Sequence, residues 1–350
     1  MTRRRWLAIL VAAVGVGAGP VLAGPASGSV RVLLYHRVGD SRYPSTNVSV
    51  EAFRAQMRWL GESGYSVVST EALARHLLEG APLPDRAVVI QFDDGYRSVY
   101  AHAFPILREL GYPFCVFLPT EALDRGYNDY MTWDMARAMV DGGGELGAHG
   151  HRHLRLGRLA GEEGRARIRE ELGEGARRLR AQGVPPRWVA YPYGEYSPAV
   201  LEEARRLGFS LGFTQDPGAV PPGADPLALP RFAVVGDLGD LATFRERVGY
   251  CPLPLEDRVP PPGPLATDAP EGFAARIADP RRYAPGTQNL FVSELGRLPA
   301  AFDPATGWVR APFGGRLTRR LNRVLLSVRD RESGAYCLGS WAILLGPESP

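Results

Sequence analysis

Lysine is missing from all 350 residues, so the 41 basic side chains are arginines. That absence removes Schiff-base lysine chemistry, a P-loop with its phosphate-binding Lys, and serine–lysine hydrolysis. Cysteine is nearly absent too. Cys115, Cys251 and Cys337 are too few for a disulfide-built scaffold. Cys115 lies in the apolar run Phe114–Leu118 and reads as core, which leaves Cys251 and Cys337 as a pair that could join in an oxidising compartment. Excess charge is small: the formal total is +3, and Arg3, Arg4 and Arg5 account for it. The remainder is neutral and carries no basic footprint, so nucleic acid is not an expected partner. Past residue 23 no apolar run is long enough to span a membrane.

What is present divides along the chain. Residues 1–23 combine a basic start, an apolar run over 6–18 and the small-residue site Val21-Leu22-Ala23, the parts of a secretory signal peptide. Thr2-Arg3-Arg4-Arg5-Trp6-Leu7 also fits a loose twin-arginine pattern. The mature chain is expected to start near Gly24, without a transmembrane helix, in the periplasm or outside the cell. Residues 24–250 alternate short apolar runs with amphipathic stretches, which predicts β/α units and a mostly parallel sheet. Strands are expected over 30–35, 87–92, 114–118, 145–148, 189–191 and 210–213, and helices over 51–63, 69–78, 100–110, 133–141, 162–181 and 197–207. Six prolines fall within 251–264, which predicts an extended linker. Residues 265–350 read as short strands over 289–293, 307–310, 322–329 and 340–345, broken by turns: a small all-β sandwich.

Two generic motifs carry no chemistry. Gly208-Phe209-Ser210-Leu211-Gly212 matches a nucleophile elbow, but a helix precedes the serine and no histidine follows His153. Gly142-Gly143-Gly144-Glu145-Leu146-Gly147 follows a helix and opens a strand, the reverse of a dinucleotide site. The informative residues sit at strand ends. Asp93-Asp94-Gly95 ends one strand, and His149-Gly150-His151-Arg152-His153 ends another with three of the six histidines. Two imidazoles four apart and a carboxylate from a second strand make a metal set of the 2-His-1-carboxylate kind. Pro192-Tyr193-Gly194 and His36 end two more strands and face the same way.

Gln91-Phe92-Asp93-Asp94-Gly95, the run from Glu145 through His153, and Ala190-Tyr191-Pro192-Tyr193-Gly194 resemble the three ordered motifs of the polysaccharide deacetylase family, the NodB-homology proteins of carbohydrate esterase family 4. Tyr130-Met131-Thr132-Trp133-Asp134 adds a family-like flank. The resemblance covers roughly residues 30 to 235. It implies a distorted (β/α) barrel that removes acetyl groups from glycans, with Asp93 as general base and Asp94, His149 and His153 as ligands of a divalent metal. Zn2+ is the expected ion, with Co2+, Ni2+ and Fe2+ as alternatives. The Tyr193 backbone N–H would stabilise the oxyanion, and Tyr191, Pro192 and Trp133 would meet the acetylated polysaccharide.

The family's usual acid, a histidine after the Pro-Tyr-Gly strand, has no counterpart here. Leu33-Leu34-Tyr35-His36-Arg37-Val38 resembles instead the permuted order of the poly-β-1,6-N-acetylglucosamine deacetylases, which makes His36 the expected acid. Three positions depart from the pattern. Gln91 stands for a usual Thr, Gly150 for a usual Ser or Thr, and Ala190 for an Arg that orients the catalytic Asp, a duty left to Arg187 or Arg231. His151 has no assigned role. The C-terminal segment resembles bacterial immunoglobulin-like modules in the spacing of Asp303-Pro304, Leu317, Asp330, Gly334 and Trp341. The expected function is a secreted N-deacetylase of GlcNAc-containing glycans. The alternatives are a non-haem Fe(II) oxygenase on the same ligands, or a catalytically inactive glycan-binding module.

Overall fold

The computed structural model describes residues 29–346, so the expected signal peptide at 1–23 lies outside the described residues. Seven parallel strands organise the first half: β1 (Arg31–Tyr35), β2 (Ala87–Phe92), β3 (Phe114–Leu118), β4 (Gly144–Ala148), β5 (Trp188–Ala190), β6 (Leu211–Phe213) and β7 (Phe232–Ala233). Their order in space is β7-β1-β2-β3-β4-β5-β6, with Ser66–Val67 as an eighth strand on β2. β1, β2 and β3 are buried at every position, as strands covered on both faces must be. Alternate residues serve two cores. Val32, Val89, Cys115, Phe117 and Phe213 form one, while Leu33, Ile90, Val116 and Leu118 face the helices in the other. The sheet curls until its edges approach, since Phe213 bridges Leu229 just before β7. The result is a parallel half-barrel.

The helices begin where short polar caps allow. Ser49, Ser69, Thr132 and Ser197 each accept a backbone N–H three residues on, opening Val50–Glu62, Thr70–Glu79, Trp133–Asp141 and Pro198–Arg206. The expected helix over 100–110 starts instead as a π turn, Val99–Ala103, before Phe104–Leu110. A further helix, Leu241–Gly249, is capped by Asp240 and was not expected.

The expected linker at 251–264 is corrected by the structure, which pairs this segment into strands. Cys251–Pro252 and Gly263–Leu265 both lie parallel to Tyr336–Leu345, and Leu255–Val259 pairs with Gly272–Ile277. Prolines are tolerated because these strands are short, and the neighbouring Leu253 N–H donates to the Leu338 carbonyl at 3.2 Å. Two sheets result. One holds the long hairpin Leu321–Arg329 and Tyr336–Leu345 with Asn289–Val292 and Gly296–Leu298; the other orders Leu255–Val259, Gly272–Ile277, Trp308–Pro312 and Ala301–Phe302. Trp341 is fully buried between them, its indole N–H donating to the Pro260 carbonyl. Cys251 and Cys337 are register partners and form a disulfide.

The sandwich does not hang free of the barrel. Leu325, Leu338 and Ala342 belong to the barrel's own apolar cluster. Ser340 Oγ donates to the Pro217 carbonyl at 2.6 Å, and Arg158 Nε to the Gly346 carbonyl at 2.7 Å.

Candidate active site

The C-terminal ends of the barrel strands converge on one point. The Asp93 N–H donates to the Tyr35 carbonyl at 2.9 Å, extending the β1–β2 ladder by one residue and setting His36 beside the acidic pair. Asp93 is wholly buried. Arg231, equally buried, forks both of its oxygens at 2.8 and 2.7 Å. The guanidinium is itself fixed by donation from Nε to the Thr214 carbonyl. Arg231 thus fills the duty left open by Ala190, whereas Arg187 pairs with Glu71 at the surface.

Past β4, His149 Nδ1 lies 2.7 Å from the Ala190 carbonyl, an acceptor only, so Nδ1 carries the proton and Nε2 presents its lone pair inward. His149 Nε2 stands 3.3 Å from Asp94 Oδ1, His153 Nε2 stands 3.1 Å from that same oxygen, and the two imidazole nitrogens are 3.2 Å apart. Three electron-rich atoms on one point require a cation or a proton among them. The N2O donor set fits a divalent ion such as Zn2+, Co2+, Ni2+ or Fe2+.

The loop carrying these imidazoles is shaped from below. Glu171, buried on the helix Gly161–Ala181, accepts from the backbone N–H groups of His151, Arg152 and Leu154 at 2.9, 2.7 and 3.3 Å. A Cβ at Gly150 would meet Glu171 Oε1 at 2.6 Å, and Gly150 has φ +72°, so glycine there makes room for the carboxylate. Glu171 was not singled out from the sequence; its signal, an acid on the inward face of a helix among Ile168 and Leu172, reads as a surface residue until the loop above is known.

Strain collects at the same place. Asp94, His153 and Tyr193 have φ of +70°, +60° and +61°, three of the five non-glycine residues in left-handed backbone among the described residues. Such conformations cost free energy and persist where the surroundings over-determine them. Tyr193 turns its ring to His153, with centroids 4.6 Å apart, under the Arg155 guanidinium at 3.6 Å.

Charge follows the geometry. Burial pushes the Asp93 carboxyl up, but Arg231 and His149 outweigh it and hold it below the ordinary carboxylate range. Burial likewise opposes ionisation of Asp94, yet the His149 and His153 imidazoles beside it outweigh that and keep it far lower still. His149 itself is raised, because Asp93 and Asp94 outweigh its burial. His36 is lowered by burial, which Asp94 and Asp93 only partly offset.

Two of the expected substrate residues are corrected. Tyr191 is fully buried and its hydroxyl donates to the Leu227 carbonyl at 2.8 Å, and Pro192 is buried beside it, so both are core. Trp133 is half-buried at a helix start and gives its indole N–H to Asp124. His151 pairs through Nδ1 with Thr120 Oγ1 at 2.9 Å. A different aromatic rim lies beside Asp94. Arg37 is stacked between Tyr43 and Tyr96 at 3.8 and 3.4 Å, Tyr130 packs on Tyr96, and Tyr43 and Tyr127 are exposed. Burial and the neighbouring Asp94 carboxylate push the Tyr96 hydroxyl far up.

A family model described as Polysaccharide deacetylase matches residues 80–212. That segment, less than half of the chain, is similar to a polysaccharide deacetylase domain; it runs from β2 to β6 and leaves His36 and Arg231 outside it. Among curated relatives, the chain is 26% identical over 188 residues to a putative polysaccharide deacetylase, YxkH, of Bacillus subtilis, covering 54% of this chain and 65% of that one. It is 31% identical over 222 residues to the poly-β-1,6-N-acetyl-D-glucosamine N-deacetylase of Escherichia coli K12, covering 51% of this chain and 32% of that one. The chain therefore spans less than two thirds of either relative. Among solved structures, IcaB from Ammonifex degensii superposes with a TM-score of 0.55 at 28% identity, over 63% of this chain and 97% of that one. A Streptococcus pyogenes deacetylase, PplD, solved with acetate, shares the fold with a TM-score of 0.58 at 21% identity, over 63% of this chain and 99% of that one.

Proposed function

We propose that this protein is an exported, divalent-metal-dependent N-deacetylase of GlcNAc-containing polysaccharides, of the poly-β-1,6-linked type. The observation that carries the reading is the Asp94–His149–His153 donor triangle set against Asp93, a second carboxylate pinned ionised by Arg231. An oxygenase site needs a single carboxylate; a hydrolase also needs a base for water. When bound, a divalent ion acts as a Lewis acid and lowers the pKa of water at the site. Asp93 takes the proton from the attacking water as its oxygen bonds to the acetyl carbon. The Tyr193 N–H donates to the oxyanion; its neighbours are committed elsewhere, with Gly194 N–H on the Tyr191 carbonyl and Glu195 N–H on Pro192. His36 delivers a proton to the sugar nitrogen as the C–N bond breaks, giving acetate and a free amine.

The Tyr43, Tyr96, Tyr127 and Tyr130 rim supplies apolar ring faces with hydroxyl edges, suited to sugar rings. Export is supported by the signal-like residues 1–23 and by the Cys251–Cys337 disulfide, which an oxidising compartment favours. Among the described residues no helix is long and apolar enough to cross a membrane. We place the domain boundary at 250/251 and read the sandwich as immunoglobulin-like from the spacing given above. The test is acetate release from β-1,6-linked GlcNAc oligomers, chitin oligomers, peptidoglycan and acetylxylan after chelation and add-back of Zn2+, Co2+, Ni2+ or Fe2+. Release from the GlcNAc polymers that vanishes on chelation is expected. No metal-dependent release from any of them would refute the reading.

A further inference from the structure

The sandwich supplies none of the metal-facing atoms, yet one of its side chains reaches the catalytic loop. Arg323, on the strand Leu321–Arg329, donates from Nη2 to the Tyr193 carbonyl at 3.3 Å. Its Nε faces Asp216 Oδ1 at 3.7 Å, and the other Asp216 oxygen accepts from the Tyr196 hydroxyl at 2.8 Å. Arg320, next to the same strand, forks the wholly buried Glu195 at 3.2 and 3.1 Å. Glu195 also pairs with Arg155, whose guanidinium lies over the Tyr193 ring.

Two arginines of the sandwich and one of the barrel therefore enclose the segment from Tyr193 to Tyr196. Tyr193 is gripped twice, by its ring and by its carbonyl. That grip matters because the residue is in left-handed backbone, φ 61° and ψ 4°, which a tyrosine leaves unless held. Gly194 follows at φ +67°, and a Cβ added there would meet Gln215 at 2.5 Å, so only glycine fits beside Tyr193. With ring and carbonyl both fixed, the left-handed turn is held and the Tyr193 N–H keeps one direction. Release of the carbonyl lets the turn relax about φ as well as ψ, and the change in φ turns the N–H away from where an oxyanion would form.

We propose that Arg323 is a positioning residue of the deacetylase site, so that the C-terminal sandwich completes the oxyanion-binding side of a centre whose other groups all come from the barrel. This rests on the functional reading above. Among the described residues no barrel group replaces the contact: Arg155 holds the ring, and Arg231 is occupied by Asp93.

The test uses the full chain with Arg323→Ala, Arg323→Lys and, as a control on the same module, Arg319→Ala, whose exposed side chain donates to the Ser293 carbonyl. Metal content, melting temperature, kcat and KM for acetate release, and hydrogen exchange of the Gly194 and Glu195 amides are read for each. Arg323→Ala is expected to keep its metal and lose about tenfold to a hundredfold in kcat with KM nearly unchanged, as for a donor misplaced by about 1 Å. Exchange at Gly194 and Glu195 should quicken. Arg323→Lys, which can still reach one carbonyl, should recover kcat to within about threefold of wild type. Arg319→Ala should match wild type throughout. The proposal is overturned if kcat per metal-loaded protein stays within about twofold in Arg323→Ala, if the loss merely tracks lost metal or fold, or if Arg319→Ala shows the same loss. Should Arg323→Ala not fold, Arg323→Lys and Arg323→Gln decide by the same split. If the wild type releases no acetate, the functional reading fails, while hydrogen exchange at the loop still decides whether Arg323 holds Tyr193.

Discussion

Asp303 in the sandwich and Asp93 in the barrel are satisfied in opposite ways. Asp303 accepts from the Ala305 N–H and the Thr306 hydroxyl, both within three residues, while Asp330 joins its own turn, through the N–H groups of Glu332 and Ser333, to the Arg282 guanidinium 48 positions away. In the barrel, Asp93 is held by Arg231, 138 positions away in the chain, and Asp94 by His149 and His153. A carboxylate closed on its own turn has spent its lone pairs on backbone and offers little to a ligand. One satisfied from distant side chains stays aimed into a shared space. The same residue type is turn chemistry at Asp303 and candidate-site chemistry at Asp93, where a distant guanidinium and the neighbouring His149 imidazole hold it.

The largest effect should come from the donor triangle. His149→Ala is expected to lose the metal and bring acetate release to background, while Asp330→Ala costs about 1 kcal/mol or more of stability and leaves kcat/KM within about twofold. Metal analysis and kinetics on both variants check this; full occupancy in His149→Ala would break the contrast. Next, Asp93→Asn should retain metal and lose about 10²–10⁴ in kcat, since an amide cannot take the proton of water. Turnover within a few-fold of wild type would remove Asp93 as the base.

His36→Ala should lose about a hundredfold on the amide substrate and far less on an activated aryl acetate, whose leaving group needs little protonation. Equal losses on both would give His36 a structural role. Arg231→Met tests the remote partner directly. Arg231 holds the Asp93 pKa down, so the stability of this pair is present above the usual carboxylate range and fades as pH falls through the lowered value. Without Arg231 the upward push of burial remains, so the acid limb of kcat/KM should move to higher pH; an unmoved limb would show that Arg231 does not govern the base. Smallest in activity is the disulfide. Cys251→Ser with Cys337→Ser should cost about 2–4 kcal/mol in denaturant unfolding and leave the metal site loaded. Metal loss in that variant would tie the two halves more closely than the geometry suggests.

The barrel was legible where burial dictates sequence. Phe114–Leu118 and Ala87–Phe92 are unbroken apolar runs because both faces are covered, and the polar residues that follow them mark the site. β7 was not legible, since its two residues, Phe232 and Ala233, carry no period. The strands in 251–264 were hidden by their prolines, which forbid a central strand and permit short parallel edges. Tyr191 misled because its neighbour Tyr193 faces the ligands; at the end of a strand, consecutive aromatics divide between core and cleft, and only packing against Leu227 shows which is which. Arg323 had no sequence signal at all. It lies on a strand whose Val324, Leu326 and Val328 pack the sandwich, and its target is a backbone atom 130 residues earlier.

The three left-handed residues at the strand ends set a limit on improving this molecule. Asp94, His153 and Tyr193 each sit where glycine would be at ease, so the conformational cost of order 1–3 kcal/mol apiece is concentrated on residues the proposed reaction needs. A selection for thermal resistance alone would find its readiest gains by replacing them, and would enrich folded, heat-stable and inert descendants. Screens for hardier variants should therefore keep acetate release as a second gate and direct substitutions elsewhere, for instance to Arg86 or Asp279, which carry the same backbone strain outside the candidate site.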